Sequence, residues 1–127
     1  MKFRLLLPLL FLATLLSARA ADLAGKWTAE FDTQIGVQKY TYEFRHDGDQ
    51  LTGQAAFDHA FGKGTVQLHD IKVDGDKVSF KEPFNAQGME LTITYSGTLA
   101  GDELKLTRQV GDFATEQLTA KRAPAAK

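Results

Sequence analysis

Beyond residue 20 the chain offers little that does covalent chemistry: three histidines, two serines and no cysteine. His46, His59 and His69 show neither i, i+4 spacing nor a His-Glu-x-x-His frame, so zinc has no donor set and no metal is expected. His59 follows Asp58, an acid–base couple in form, although a single such pair in a loop is ordinary polar surface. Ser79 and Ser96 lie outside any Gly-x-Ser-x-Gly elbow, which removes the nucleophile of a serine hydrolase. Sixteen carboxylates are present. A glycosidase pair must face across about 5–9.5 Å. Glu30, Glu43, Glu90 and Glu116 instead fall on the parity expected to point outward, where charge solvates a strand. Asp47-Gly48-Asp49 and Asp74-Gly75-Asp76 lack the further oxygens of a calcium loop. No glycine-rich cradle precedes a helix to hold phosphate. No catalytic residue and no cofactor is expected.

Aromatic side chains set among glycines are the stronger signal. One stretch is Phe57-Asp58-His59-Ala60-Phe61-Gly62-Lys63-Gly64. Another is Glu82-Pro83-Phe84-Asn85-Ala86-Gln87-Gly88. Their value depends on the elements that carry them. Apolar and polar residues alternate with period two along most of the chain beyond residue 25, the pattern of half-buried strands. Trp27, Ala29 and Phe31 share one face; so do Tyr40, Tyr42 and Phe44, and Leu91, Ile93 and Tyr95. Gly-Asp pairs at Gly48, Gly75, Gly101 and Gly111 separate such runs and read as hairpin turns, because glycine adopts the positive φ a tight turn needs. The first three recur at 27 and 26 residues, a spacing that similar hairpins produce on their own.

Eight strands result, at 26–33, 37–46, 50–57, 64–73, 77–83, 89–99, 103–110 and 113–122. Within 64–73 the apolar parity switches between Leu68 and Ile71, which predicts a β-bulge near His69 or Asp70. Short connections make sequence neighbours spatial neighbours. Eight antiparallel strands, each with one apolar face, close on themselves and so remove their edges. The fold class expected is all-β, an eight-stranded up-and-down meander barrel.

Gly25-Lys26-Trp27 at the start of this meander, with Arg122 in the last strand, resembles the lipocalin-like (calycin) barrels. In them a Gly-x-Trp motif opens the first strand and an Arg from near the chain's end packs over the Trp. The resemblance implies closure of one end by Gly25, Trp27 and Arg122, with Arg108 the second choice for the Arg. The chain lacks the helix those barrels carry before the last strand, and their disulfides. It is also similar to small secreted bacterial barrels of unassigned function, some found beside hydrolases of polysaccharides and esters. A closed end at Trp27 puts a ligand's entry at the other. There Phe57, His59, Phe61, Lys63 and Phe84 are the candidate ligand contacts, with Tyr42 on the inward face of the second strand. The three Phe rings either plug that mouth as core or line a site for an apolar or glycan ligand.

Residues 1–20 read as a secretory signal peptide: Lys2 and Arg4, an apolar run from Leu5 to Leu16, then Ala18 and Ala20 at the −3 and −1 positions of a cut after Ala20. The run is short for a membrane span, which takes about 20 residues. The product expected is a secreted or periplasmic monomer with one domain over 21–122 and a disordered tail over 123–127. The leader holds three of the 15 basic residues, so 12 remain against 16 acidic ones, a net charge near −4. That balance offers no basic stripe for nucleic acid. A ligand-binding barrel is the function expected. The alternatives are an accessory or catalytic protein of polysaccharide breakdown (a glycoside hydrolase or xylanase-associated protein) and a protein-interaction module.

Overall fold

The computed structural model describes residues 22–86 and 88–124. The expected leader, and residues 125–127 of the expected tail, lie outside the described residues. The strands are β1 (Gly25–Thr33), β2 (Gly36–Asp47), β3 (Gln50–His59), β4 (Gly62–Asp74), β5 (Lys77–Ala86), β6 (Met89–Ala100), β7 (Glu103–Val110) and β8 (Ala114–Arg122). They form one closed antiparallel barrel in chain order. The all-β meander follows from the alternation: inward residues such as Trp27, Tyr40, Tyr42, Phe44, Phe80 and Tyr95 are all buried. Gly48, Gly75, Gly101 and Gly111 have φ between 50° and 64°, the left-handed conformation of a tight turn. Among the described residues no helix is long and apolar enough to cross a membrane.

Several strand ends differ from the sequence reading, most of all at the two expected loops. β3 runs to His59 and β5 to Ala86, so the expected loops become strand. The ladders account for this: Phe57 pairs with Gly64, and Phe84 with Leu91. Phe113, placed in the last strand by its sequence, sits in the turn before it and is 66% exposed. Its N–H donates to the Val110 carbonyl at 2.9 Å, which closes the turn.

The wall is uneven. β4 and β5 pair only from His69↔Lys81 down to Asp74↔Lys77, with a register shift between His69 and Lys72. Asp70, inside the shift, has φ 53°. This is the bulge that the parity switch predicts. Beyond it, Gly62–Leu68 pairs with β3 alone and Glu82–Ala86 with β6 alone among the described residues. Pro83 lies on the freed stretch of β5, and a residue without an N–H is tolerated at such an edge. The β4–β5 seam therefore splays at the end opposite the Gly48, Gly75 and Gly101 turns.

Candidate functional site

The splay opens a cavity of about 760 Å³. Phe57, His59, Val66, Glu82, Phe84 and Leu91 contribute from the inward parity of their strands, and Lys63, Thr65, Pro83 and Asn85 from the outward parity. Lining by both parities means that the cavity passes through the wall between β4 and β5 rather than only down the mouth. Five of the six expected ligand contacts lie on it: Phe57, His59, Phe61, Lys63 and Phe84. Only Phe61 occupies a turn; the other four stand on strands.

Packing fixes these rings. Phe57 faces Gly64 across the β3–β4 ladder, and a Cβ on Gly64 would lie 2.9 Å from the Phe57 ring. The glycine is what lets the ring lie flat over the strand. The His59 imidazole stacks on Phe57, centroids 4.7 Å apart and planes 9° from parallel. Phe61 meets the imidazole edge to face at 5.9 Å, and Phe84 lies at 5.7 Å. The Phe61 N–H donates to His59 Nδ1 at 3.2 Å. Burial pushes the His59 pKa below its ordinary value, and the positive charge of Arg108 adds to that, against Asp58. His59 is therefore the neutral tautomer with its proton on Nε2, and Nε2 is buried without a partner.

Tyr42, the sixth expected contact, does not line the cavity. It is fully buried below it, its hydroxyl donating to Tyr95 at 3.1 Å. It belongs to a polar cluster that the sequence reading missed. Glu82 accepts from the Tyr40 hydroxyl at 2.8 Å and the Tyr95 hydroxyl at 2.7 Å. Arg108 donates from Nε to Tyr95 and from Nη2 to Tyr40, each at 3.0 Å, and from Nη1 to Glu116. Two tyrosines thus sit between the carboxylate and the guanidinium and satisfy both. Burial raises the Glu82 pKa, against the lowering effect of the Tyr95 hydrogen bond and the Arg108 charge. Burial also works against the charge of Arg108, but the tyrosine oxygens and Glu82 outweigh it.

Arg108 is thus inside the barrel and takes no part in the Trp27 closure, and Glu116 faces inward to meet it, not outward. The parity signal was available: Glu82 continues Val78 and Phe80, and Arg108 continues Leu104 and Leu106.

A second cavity, about 150 Å³, lies beyond Phe61 and Phe84. Gln38 lines it, buried. Thr33 Oγ1 donates to the Gly36 carbonyl, so it must accept from Gln38 Nε2. Gln38 Oε1 is left buried without a partner among the described residues.

At the far end Arg122 lies over the Trp27 ring at 4.3 Å. Its Nη1 donates to the Ala24 carbonyl and its Nη2 to the Asp22 carbonyl. A Cβ on Gly25, which has φ +125°, would come within 3.0 Å of Arg122 Nη1. His46 and His69 are exposed. Among the described residues no three His, Cys, Asp or Glu side chains gather as metal ligands. No protein-family model matches the chain, and neither a curated protein nor a solved structure matches it.

Proposed function

We propose that this protein is a lipocalin-like, secreted or periplasmic barrel that binds a small apolar or amphipathic molecule and does no catalysis. The observation that carries the reading is the cavity at the β4–β5 splay. Its volume is that of a small-molecule site, about 300–1,000 Å³. Phe57, Phe61, Phe84 and Leu91 give it apolar walls beside polar residues such as Lys63, Thr65, Asn85 and Thr92, a lining that suits an amphipathic molecule. Below it the barrel is filled by Tyr42, Phe80, Tyr95 and Leu106, so the ligand stays near the rim. Gly25, Trp27 and Arg122 support the lipocalin-like part, and the apolar run over residues 5–16 supports export.

The test is native mass spectrometry and calorimetry with fatty acids, naphthalene derivatives and xylo-oligosaccharides. A one-to-one complex with an apolar compound, weakened at least tenfold by Phe84→Ala, is expected. No complex with any apolar compound overturns the reading.

Glycoside hydrolysis has one observation in its favour: Glu82 and Glu90 both line the cavity. Glu82, however, is 1% exposed with both oxygens engaged by tyrosines. Release of sugar from xylan, abolished by Glu82→Gln, would establish that reading instead.

A further inference from the structure

His59 carries a hydrogen-bond donor whose direction is fixed and whose partner is missing. The Phe61 N–H occupies Nδ1, so the imidazole proton sits on Nε2. Nε2 is buried and unpartnered. A buried donor left without an acceptor costs free energy that a ligand's acceptor returns. The rings about the imidazole are Phe57, stacked on one face, and Phe61 and Phe84 against the edges. No side chain of the cluster competes for the proton.

We propose that the β4–β5 cavity takes a flat, uncharged apolar molecule bearing one hydrogen-bond acceptor, an aryl ketone or similar carbonyl compound, and that His59 Nε2–H donates to that acceptor. The inference rests on the ligand-binding reading above and deepens it. Flatness follows from the slot, which lies between two strand edges, Gly62–Leu68 and Glu82–Ala86, and is walled by aromatic rings. Neutrality follows from the charges at hand. An anion would face Glu90 on the lining, while Lys63 is already drawn to Asp58 at 3.8 Å. A cation would meet the His59 N–H and the field of Arg108.

One motion is required. Phe61 is half exposed on the turn between β3 and β4 and lines both this cavity and the smaller one beside it. In the proposed mode its ring, which belongs to no strand, turns outward to give the acceptor access to Nε2.

The experiment compares 2-acetylnaphthalene with 2-ethylnaphthalene, which share a shape and differ in the carbonyl. The full-length folded protein should bind the ketone about tenfold more tightly. His59→Phe keeps the ring stack and should erase the preference while still binding the hydrocarbon. Nitrogen-15 NMR of the wild-type histidine gives a readout independent of any variant. It should show the Nε2–H tautomer in the free protein, and the Nε2 proton should move downfield with the ketone alone. Equal affinities, a preference that survives in His59→Phe, or an Nε2 signal indifferent to the ketone each overturns the inference and leaves the cavity reading standing. Binding of neither compound overturns the inference, and the cavity reading falls with it only if the fatty acids fail to bind as well.

Discussion

Glu82 sits inside the barrel with 1% of its surface exposed, and its carboxyl is harder to ionise there than in water. This ties stability to pH with a definite sign. Below the unfolded value of about 4.5 both states hold the proton, so Glu82 contributes nothing. Between that value and the higher folded one, only the folded state holds it. The folded protein therefore loses stability as pH rises through this window, and the loss stays constant above it. Glu82→Gln removes the titration but keeps a carbonyl oxygen for a tyrosine hydroxyl. Urea unfolding of both proteins across pH 4 to 9 should show the wild type falling relative to the variant above about pH 4.5. A difference that does not change with pH contradicts the assignment. At this scale the sequence was partly legible. Phe57, His59, Phe61, Lys63 and Phe84, which line the cavity, stood out because aromatics among glycines are a local signal. Glu82, Arg108, Gln38 and Glu116 were not, because charge and amide on an inward parity read as surface until their partners appear. Those partners are 8 to 68 residues away for the charged three.

Strands position these side chains, and glycine at strand crossings decides how closely they pack. Gly97 on β6 pairs with Leu106 on β7. A Cβ there would lie 1.8 Å from the Lys105 carbonyl oxygen, a backbone atom that cannot step aside. Gly53 on β3 pairs with Phe44, and a Cβ there would meet the Phe44 ring at 2.8 Å and Ile71 at 3.1 Å, side-chain rather than backbone atoms. Gly97→Ala should therefore cost about 3 kcal/mol or more, at the upper end for forced overpacking, and Gly53→Ala about 1 kcal/mol. Urea midpoints measured on both variants give the order, and a milder effect at Gly97 would contradict the backbone contact. Period-two alternation made the strands legible, and its break between Leu68 and Ile71 made the bulge legible. The lengths of β3 and β5 were not, because Phe57 to Gly64 carries the composition of a loop. Its ladder is held by Phe57 lying over Gly64, a cross-strand contact with no local signature. Nor does the sequence show that β4 and β5 part beyond the bulge; only Pro83 marks that edge.

Barrel closure depends on a short seam. β1 and β8 pair only at Trp27↔Arg122 and Thr28↔Lys121, where β1 and β2 pair along nine residues. The Arg122 side chain reinforces those few rungs. It covers the Trp27 ring at 4.3 Å and donates to two carbonyls of the segment before β1. Trp27 Nε1–H donates to Leu23 of the same segment at 2.9 Å, and Leu23 is buried over the end. The Asp102 contact is exposed and adds little. Removing the guanidinium loses a cation–π contact and leaves two carbonyls to find water, so Arg122→Ala should cost about 2 kcal/mol. Arg122→Lys should recover less than half of that, because one ammonium cannot both lie flat on the indole and reach two carbonyls in fixed directions. Calorimetric melting of the three proteins tests this, with Trp27 fluorescence reporting whether the end opens. Equal stability of the Lys variant and wild type would mean that charge alone holds the seam. Ligand affinity supplies the control: the cavity lies at the opposite end, so a folded Arg122→Lys protein should bind 2-acetylnaphthalene as the wild type does. A loss of binding there would show that the two ends are coupled through the aromatic core that fills the barrel between them.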